Sequence, residues 1–219
     1  VDVALRVLAA ITDVASSSRW LSAVIASVEL AQMLGAGAWA HESPLLQVPH
    51  VSKAMAAQAA EMGVKTVPDI SEMSGADRKA LLAPLDKKQK AEVAQFCNAF
   101  PQVEVQWAVR GELVAESKGA IAVMLDRTPE ADEDEEEEWD DSLVMRNGSR
   151  ESWWLVVGDE NNRVWGMKRV WIHQRVSKVK VDVVPVSSGS QQIKLFVLCD
   201  RYIGADQEIK MDVQVEEAR

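Results

Sequence analysis

The sequence contains few of the residues on which disulfide-rich domains and metal sites depend. Its 219 residues include two cysteines, three histidines and a single tyrosine. Cys97 and Cys199 lie far apart, and neither belongs to a Cys-x-x-Cys pair, so we predict neither a disulfide framework nor a zinc site. This cysteine usage favours a reducing compartment.

Motifs for phosphate binding and hydrolysis are also missing. The chain has no G-x-x-x-x-G-K-S/T loop, no G-x-G-x-x-G turn, no H-E-x-x-H motif and no G-x-S-x-G nucleophile elbow. The histidines, His41, His50 and His173, do not cluster in the sequence. Because an enzyme needs reactive groups that converge, we expect no catalysis from this chain and no cofactor bound to it.

Only the stretch Trp20–Ala40 is long enough to raise the question of a membrane span. Glu29 and Gln32 lie in its middle, and many of the other residues are Ala, Ser or Gly. A carboxylate at the centre of a bilayer costs roughly 2.5–3.5 kcal/mol on insertion scales. We therefore predict a packed helix.

The formal net charge of −10 comes from one segment, Glu130–Asp141, which contains ten acids and no base. The other 24 acids match the 24 basic residues, so the acidic balance does not exclude a surface for nucleic acid. An unbroken block of acids cannot pack in a core, and we predict a solvated insertion loop at 130–141. Contact with a divalent cation or a basic partner is the alternative.

Apolar residues recur at helical spacing in the first hundred residues. One amphipathic helix is predicted before the break at "SSSRW", and the alanine-rich Trp20–Ala40 follows as the second. Gly and Pro then separate four short helical segments: "HVSKAMAAQAAEMG", "VPDISEM", "GADRKALLAP" and "DKKQKAEVAQFCNAF". This spacing predicts a small helical hairpin domain.

From Pro101 the apolar period changes from that of a helix to that of a strand. Seven β-branched or aromatic runs follow: "VEVQWAV", "AIAVML", "WWLVV", "VWGMKRVWI", "KVKVDVV", "IKLFVL" and "IKMDVQV". Seven short strands in about 120 residues predict an immunoglobulin-like or fibronectin type III-like sandwich. The segment "GDENNRV" is a hairpin signal between the third and fourth strands.

Two tryptophans, Trp165 and Trp171, are interleaved with six basic residues: Arg163, Lys168, Arg169, Arg175, Lys178 and Lys180. Such a mixture can bind nucleic acid through phosphate contacts and stacking. On alternating strands, tryptophans more often face the sandwich core while the basic residues face water, and we favour that interpretation.

Several segments resemble the Sec sixty-three homology unit that follows the motor domains in large DExH-box RNA helicases. They are "SRWLSAVIASVELAQMLGAGAW", "FCNAFPQVEV", "WWLVVGD", "KRVWIHQRVSKVKVDVV" and the ending with "DQE" and "VQVEEA". The resemblance covers nearly the whole chain and departs from the family between Glu130 and Ser152. It is greatest for the second, C-terminal cassette of the spliceosomal helicases that unwind paired small nuclear RNAs.

The resemblance implies an α+β, multi-domain fold. Residues 1–48 would be the end of a helical bundle that includes a long helix, and residues 49–100 a helix-loop-helix or helical hairpin domain. Residues 101–219 would be the immunoglobulin-like sandwich that carries the acidic insertion. Because the chain starts in helical register and without methionine, we expect it to be part of a longer protein.

The same resemblance implies a non-catalytic accessory and protein-interaction module in the nucleus. Its partners would be the parent's motor domains, which bind ATP and Mg, and spliceosomal proteins, with weak RNA contact and no membrane. Arg6 matches a basic residue of the family's long helix and is the RNA-contact candidate; a surface pair with Asp2 or Asp13 is the alternative. Two related parents remain open, the translocon-associated membrane protein of the endoplasmic reticulum and another two-cassette helicase. An extracellular adhesion-type sandwich is disfavoured because the chain lacks a cysteine pair.

The only tyrosine lies in "CDRYIGADQE", residues 199–208, which the resemblance places between the last two strands. Gly204 would permit a tight turn, and Tyr202 would pack its ring and form a hydrogen bond through its hydroxyl. Asp206, Gln207 and Glu208 would tie the loop to backbone amides. We expect a structural loop, and a partner-docking loop is the alternative.

Overall fold

The computed structural model of the chain describes residues 1–127, 145–146, 149–172 and 174–218. The acidic insertion predicted at 130–141 lies outside these residues. Within them, helices occupy the first half and strands the second, which confirms the predicted α+β fold class.

The described residues contain six α-helices and one short 3₁₀ helix. They are α1 Asp2–Ser17, α2 Leu21–Ala36, the 3₁₀ helix Pro44–Gln47, α3 Lys53–Glu61, α4 Val67–Glu72, α5 Gly75–Leu81 and α6 Lys87–Ala99. The predicted break at "SSSRW" and the four short helices are confirmed. Capping boxes start α4 and α6, where Thr66 and Asp86 each exchange hydrogen bonds with the third helical residue.

All seven predicted runs are strands, and three short strands are added to them. The strands are β1 Glu104–Arg110, β2 Leu113–Val114, β3 Gly119–Asp126, β4 Met145–Arg146, β5 Ser149–Arg150, β6 Ser152–Asp159, β7 Val164–Trp171, β8 Val176–Val183, β9 Gly189–Cys199 and β10 Gln207–Glu216. One sheet has the order β1-β3-β8, the second and larger sheet has the order β2-β10-β9-β6-β7, and β4 and β5 form a separate two-stranded sheet. Neighbours are antiparallel except for β2 and β10, and the first two sheets form the predicted immunoglobulin-like sandwich.

Strand β6 is buried along its whole length. Trp153 and Leu155 belong to the core between the two sheets, whereas Trp154 and Val156 belong to a second apolar cluster with Val24 of α2. The pair α1–α2 therefore covers the outer face of the large sheet. This coverage explains why "WWLVV" is a continuous apolar run, whereas a strand with one solvated face alternates.

The N-terminus of α2 is capped by Asn162 of the β6–β7 hairpin, 140 positions from Ser22. The Asn162 carbonyl oxygen accepts from Leu21 N at 3.1 Å, and its Oδ1 accepts from Ser22 N at 2.8 Å. Asn162 Nδ2 donates to Ser22 Oγ at 3.0 Å. The φ of Asn162 is +63°, in the left-handed region that asparagine tolerates better than most residues. The predicted hairpin thus also fixes the start of a helix.

A buried ion pair closes the base of the segment that contains the acidic insertion. Arg127 Nε lies 3.0 Å from Glu151 Oε2, and both side chains are almost fully buried. Glu151 also accepts from Trp153 Nε1 at 2.7 Å, and Arg127 Nη2 donates to the Ala99 carbonyl at 3.0 Å. Burial raises the pKa of the Glu151 carboxyl, against the opposing effect of Arg127. The sandwich therefore fixes the chain on both sides of the insertion.

One apolar cluster extends from Leu45 in the 3₁₀ helix to Val215 in β10, through the short helices and the interior of the sandwich. A smaller cluster joins α1 and α2 to the large sheet. The division at residues 48 and 100 remains a prediction. Among the described helices, none combines the length and the apolar character that crossing a membrane requires.

Candidate functional site at the junction of the helices and the sandwich

The β9–β10 loop, residues 200–206, lies where the helical half of the chain meets one end of the sandwich. Tyr202 is buried, and its ring meets Phe96 and Phe100 edge-on with centroid distances of 5.7 and 5.4 Å. Gly204 has a φ of +87°, a conformation that side chains rarely adopt. The loop is therefore shaped by its contact with the end of α6.

Asp206 connects this loop to α2. Its carboxylate accepts from Gln32 Nε2 at 2.8 Å and from Cys199 N at 2.7 Å, while Gln32 Nε2 also donates to the Cys199 carbonyl at 2.5 Å. Burial raises the pKa of Asp206 to about 6, although both hydrogen bonds oppose this shift. Glu208, two residues later, forms an ion pair with Lys194 of β9 at 2.6 Å.

Two glutamine side chains fasten the loop to the rest of the chain. Gln47 Nε2 donates to the Ile203 carbonyl at 2.7 Å, and its Oε1 accepts from Ile203 N at 3.0 Å. Gln207 Nε2 donates to the Val103 carbonyl at 2.5 Å, just before β1. The loop therefore contacts α2, the 3₁₀ helix, α6 and the start of the sandwich.

A cavity of about 520 Å³ lies between α1, α2 and this end of the sandwich, and we call it the junction cavity. Its charged lining consists of three arginines and two aspartates: Arg6, Arg169, Arg201, Asp2 and Asp200. Buried aromatic rings of Phe96, Trp154 and Tyr202 form part of the apolar lining. Cavities of this size are typical of ligand sites. The lining side chains together carry a formal net charge of +1, which favours an anion over a cation.

Arg6, the RNA-contact candidate, lines this cavity from the first turns of α1. Its Nε donates to the Asp2 backbone carbonyl at 3.4 Å, a long contact that is made with the main chain and not with the Asp2 carboxylate. The structure thus brings Arg6 to the same cavity as Tyr202, whereas Gly204 and residues 206–208 lie outside its lining.

Arg169 lies between two indole rings at the edge of the junction cavity. Its guanidinium carbon is 5.1 Å from the ring centroids of both Trp154 and Trp171. Arg169 Nη2 donates to Asp200, which also accepts from Trp154 Nε1 and Ser152 Oγ. This network fixes the guanidinium, because one carboxylate and two rings restrain it together.

The two tryptophans of β7 differ in their exposure, and only one faces the core as predicted. Trp165 is buried, but Trp171 is 47% exposed. Six residues separate them, so a regular strand would place both on one face. The register of β7 shifts opposite Val157 and Gly158, and such a bulge reverses the alternation beyond it. The prediction was therefore wrong for Trp171.

Sequence reasoning did not assign roles to the polar residues that hold the junction together. In the sequence, Gln32 argues only against a membrane span, Asn162 is only part of a hairpin signal, and no role is predicted for Gln47. The sequence around these residues does not indicate which partners, more than a hundred positions away, their side chains contact. Among the described residues, no group of three His, Cys, Asp or Glu side chains is placed to hold a metal ion.

Comparison with known proteins identifies relatives along the whole chain. The chain is 36% identical over 219 residues to the human U5 small nuclear ribonucleoprotein 200 kDa helicase, covering 98% of this chain and 10% of that protein. It is 36% identical over 220 residues to the DExH-box ATP-dependent RNA helicase DExH12 of Arabidopsis thaliana, with 97% and 10% covered. The activating signal cointegrator 1 complex subunit 3-like protein of Dictyostelium discoideum is 29% identical over 218 residues, with 95% and 10% covered.

The chain thus spans about a tenth of the length of these relatives. The Sec63 Brl domain family matches residues 1–212. The expected resemblance to this unit of a DExH-box RNA helicase is confirmed, and the chain belongs to the Sec63 Brl domain family.

Proposed function

We propose that the chain is a non-catalytic accessory and protein-interaction module of a large ATP-dependent RNA helicase that acts in pre-mRNA splicing in the nucleus. The similarity to a segment of a U5 small nuclear ribonucleoprotein helicase supports this parent. The resemblance of the sequence further favours the second cassette. In this proposal ATP and Mg bind to the parent's motor domains.

The proposed role in protein contact rests on an exposed apolar side of α1. Val3, Val7 and Val14 are 69%, 53% and 64% exposed, and their spacing puts them on one side of the helix. A neighbouring side of the helix, with Leu8 and Ala15, is buried. Contiguous exposed apolar residues mark interaction sites. We assign this side of α1 to contacts with the rest of the parent.

RNA contact is a smaller part of the proposal, with Arg6 as its residue. The cavity that Arg6 lines has only a small excess of positive charge, so few counterions are released when RNA binds. We therefore expect weak affinity that falls only gradually with salt, because the slope of log affinity against log salt scales with the number of phosphate contacts. Arg6→Glu should reduce RNA engagement by the parent only modestly.

The test of the scaffold role uses the full parent. Lys178 and Lys180 are exposed on β8, so Glu at both positions reverses surface charge without disturbing the core. This double variant should lower the recovery of spliceosomal proteins in a quantitative pull-down. If it recovers every partner normally while Arg6→Glu abolishes RNA binding, the module is primarily an RNA-gripping element and the scaffold role is wrong.

The non-catalytic role has a separate test. The purified chain should hydrolyse no ATP, because its sequence contains no phosphate-cradling loop. Hydrolysis by clean protein that a single substitution within these residues abolishes would disprove this part of the proposal.

A further inference from the structure

The junction cavity has one wall from the helices and one wall from the sandwich. Arg6 belongs to α1, whereas Arg169 belongs to β7 and Arg201 to the β9–β10 loop. The three guanidinium groups therefore reach one cavity from three parts of the fold. Guanidinium groups suit phosphate because their planar fork matches its oxygens. An anion that enters this cavity meets both walls at once.

An exposed aromatic ring lies beside the sandwich wall, outside the lining of the cavity itself. Trp171 is 47% exposed, and the Arg169 guanidinium that lies over its ring also lines the cavity. Arg169 Nε is buried and makes no hydrogen bond within the described part of the chain. Cationic grooves beside exposed aromatic rings are typical of proteins that bind single-stranded nucleic acid.

We propose that the sandwich takes part in RNA binding at the junction cavity. Phosphates of a single strand contact Arg6 and Arg201, and an adjacent base stacks on Trp171. This inference rests on the RNA contact of Arg6 under the proposed function and adds the sandwich residues to it. An RNA strand that runs along α1 would then also contact the sandwich at this cavity.

Single-stranded RNA fits these observations better than an acidic protein segment. Both ligands would pair with the arginines, but the carboxylates of an acidic peptide do not stack on the exposed indole ring beside them. Bases stack on indole rings whatever their sequence, so the contact needs no base-specific donor or acceptor. Trp171 is thus the residue that distinguishes the two ligands.

The experiment uses the full parent without ATP and a single-stranded RNA substituted with 4-thiouridine. After irradiation, crosslinked peptides are identified by mass spectrometry, and affinity is measured over a series of salt concentrations. The test variants are Arg201→Gln and Trp171→Ala. Their matched controls are Arg78→Gln in α5 and Trp39→Ala, since neither residue lines the cavity and Trp39 is 55% exposed.

We expect crosslinks to the peptide that contains Trp171. Loss of one stacked base should weaken binding by roughly fivefold or more in Trp171→Ala. Arg201→Gln should make the fall of log affinity with log salt less steep by about 0.7, the value for one phosphate contact on a single strand. Both controls should bind as the unsubstituted parent does.

Three results would overturn the inference in distinguishable ways. If both test variants bind normally while Arg6→Glu weakens binding, RNA passes α1 without the sandwich, and the proposed function keeps its RNA contact. If Arg6→Glu also binds normally, the RNA contact of the proposed function fails as well. If the test variants lose a protein partner at unchanged RNA affinity, the cavity is a protein site.

Discussion

Replacing Asn162 by alanine should release the start of α2 from the sandwich. The substitution removes the acceptor for Ser22 N at 2.8 Å and the donor to Ser22 Oγ at 3.0 Å. Loss of an N-cap costs about 0.5–2 kcal/mol. Alanine in the left-handed conformation, at a φ of +63°, adds about 1 kcal/mol or more. Because the site is exposed and water replaces part of the lost cap, we expect a total of about 2 kcal/mol.

Two further variants separate the cap from the backbone conformation. Asn162→Asp keeps an acceptor for Ser22 N, and the Ser22 hydroxyl can donate to it, so its stability should be close to that of the unsubstituted chain. Asn162→Gly loses the cap but adopts a positive φ without strain. Its free energy of unfolding should therefore lie between those of the aspartate and alanine variants.

Urea unfolding of the chain, followed by circular dichroism and by tryptophan fluorescence, gives the three free energies. For a chain of this length, 2 kcal/mol corresponds to a melting temperature roughly 4–8 °C lower. Hydrogen exchange of the Leu21 and Ser22 amides should be faster in the alanine variant. An alanine variant as stable as the unsubstituted chain, or a glycine variant as stable as the unsubstituted chain, would refute the capping role of Asn162.

Three other perturbations have defined outcomes. Deleting 130–141, for which the sequence predicts a solvated loop, should leave the melting temperature within a few degrees, because such a loop would contribute little packing and closure entropy changes slowly with length; collapse of the β signal in circular dichroism would contradict this. The pKa of Asp206 is raised from 3.8 to about 6, so the folded state binds this proton more tightly and its stability falls as pH rises through that window. Asp206→Asn should lack this part of the pH dependence. If the free energy of unfolding in urea changes by the same amount between pH 5 and pH 7 in both proteins, Asp206 does not contribute to the pH dependence. Gly166→Ala should cost about 3 kcal/mol, because its Cβ would lie 2.1 Å from the Asp182 carbonyl oxygen of β8; Gly35→Ala, with nothing within 4 Å, is the control and should be neutral or stabilising in the same unfolding assay.

Local periodicity was sufficient to predict most elements of the fold. The helices and seven of the strands follow from apolar spacing and from the Gly and Pro residues between them, because each signal lies within a dozen neighbouring residues. Strand β6 also gave a usable signal, since its unbroken apolar run corresponds to burial on both faces. Strand β2 was not predicted, because its two residues, Leu113 and Val114, are too few to show a period.

The candidate site was less predictable because it depends on contacts between distant residues. Tyr202 and Asp206 were singled out by composition and by resemblance, but their partners Phe96 and Gln32 could not be named from local pattern. Trp171 was misassigned since a β-bulge, which shifts alternation by one residue, leaves no mark in the spacing of the apolar residues. Only the folded arrangement shows that Arg6 and Arg201 line one cavity.

Helix α2 is held at two points, and this arrangement determines how α1 is oriented. Asn162 holds Ser22, and Asp206 holds Gln32, ten residues and therefore roughly 15 Å further along the helix axis. Pivoting about either point would break the hydrogen bonds at the other, so α2 must move with the large sheet. Since α1 packs on α2, partly through the Thr12 Oγ1 to Ser27 Oγ hydrogen bond of 2.8 Å, the sandwich fixes α1 as well. A displacement of the large sheet would therefore also move the helix that carries Arg6.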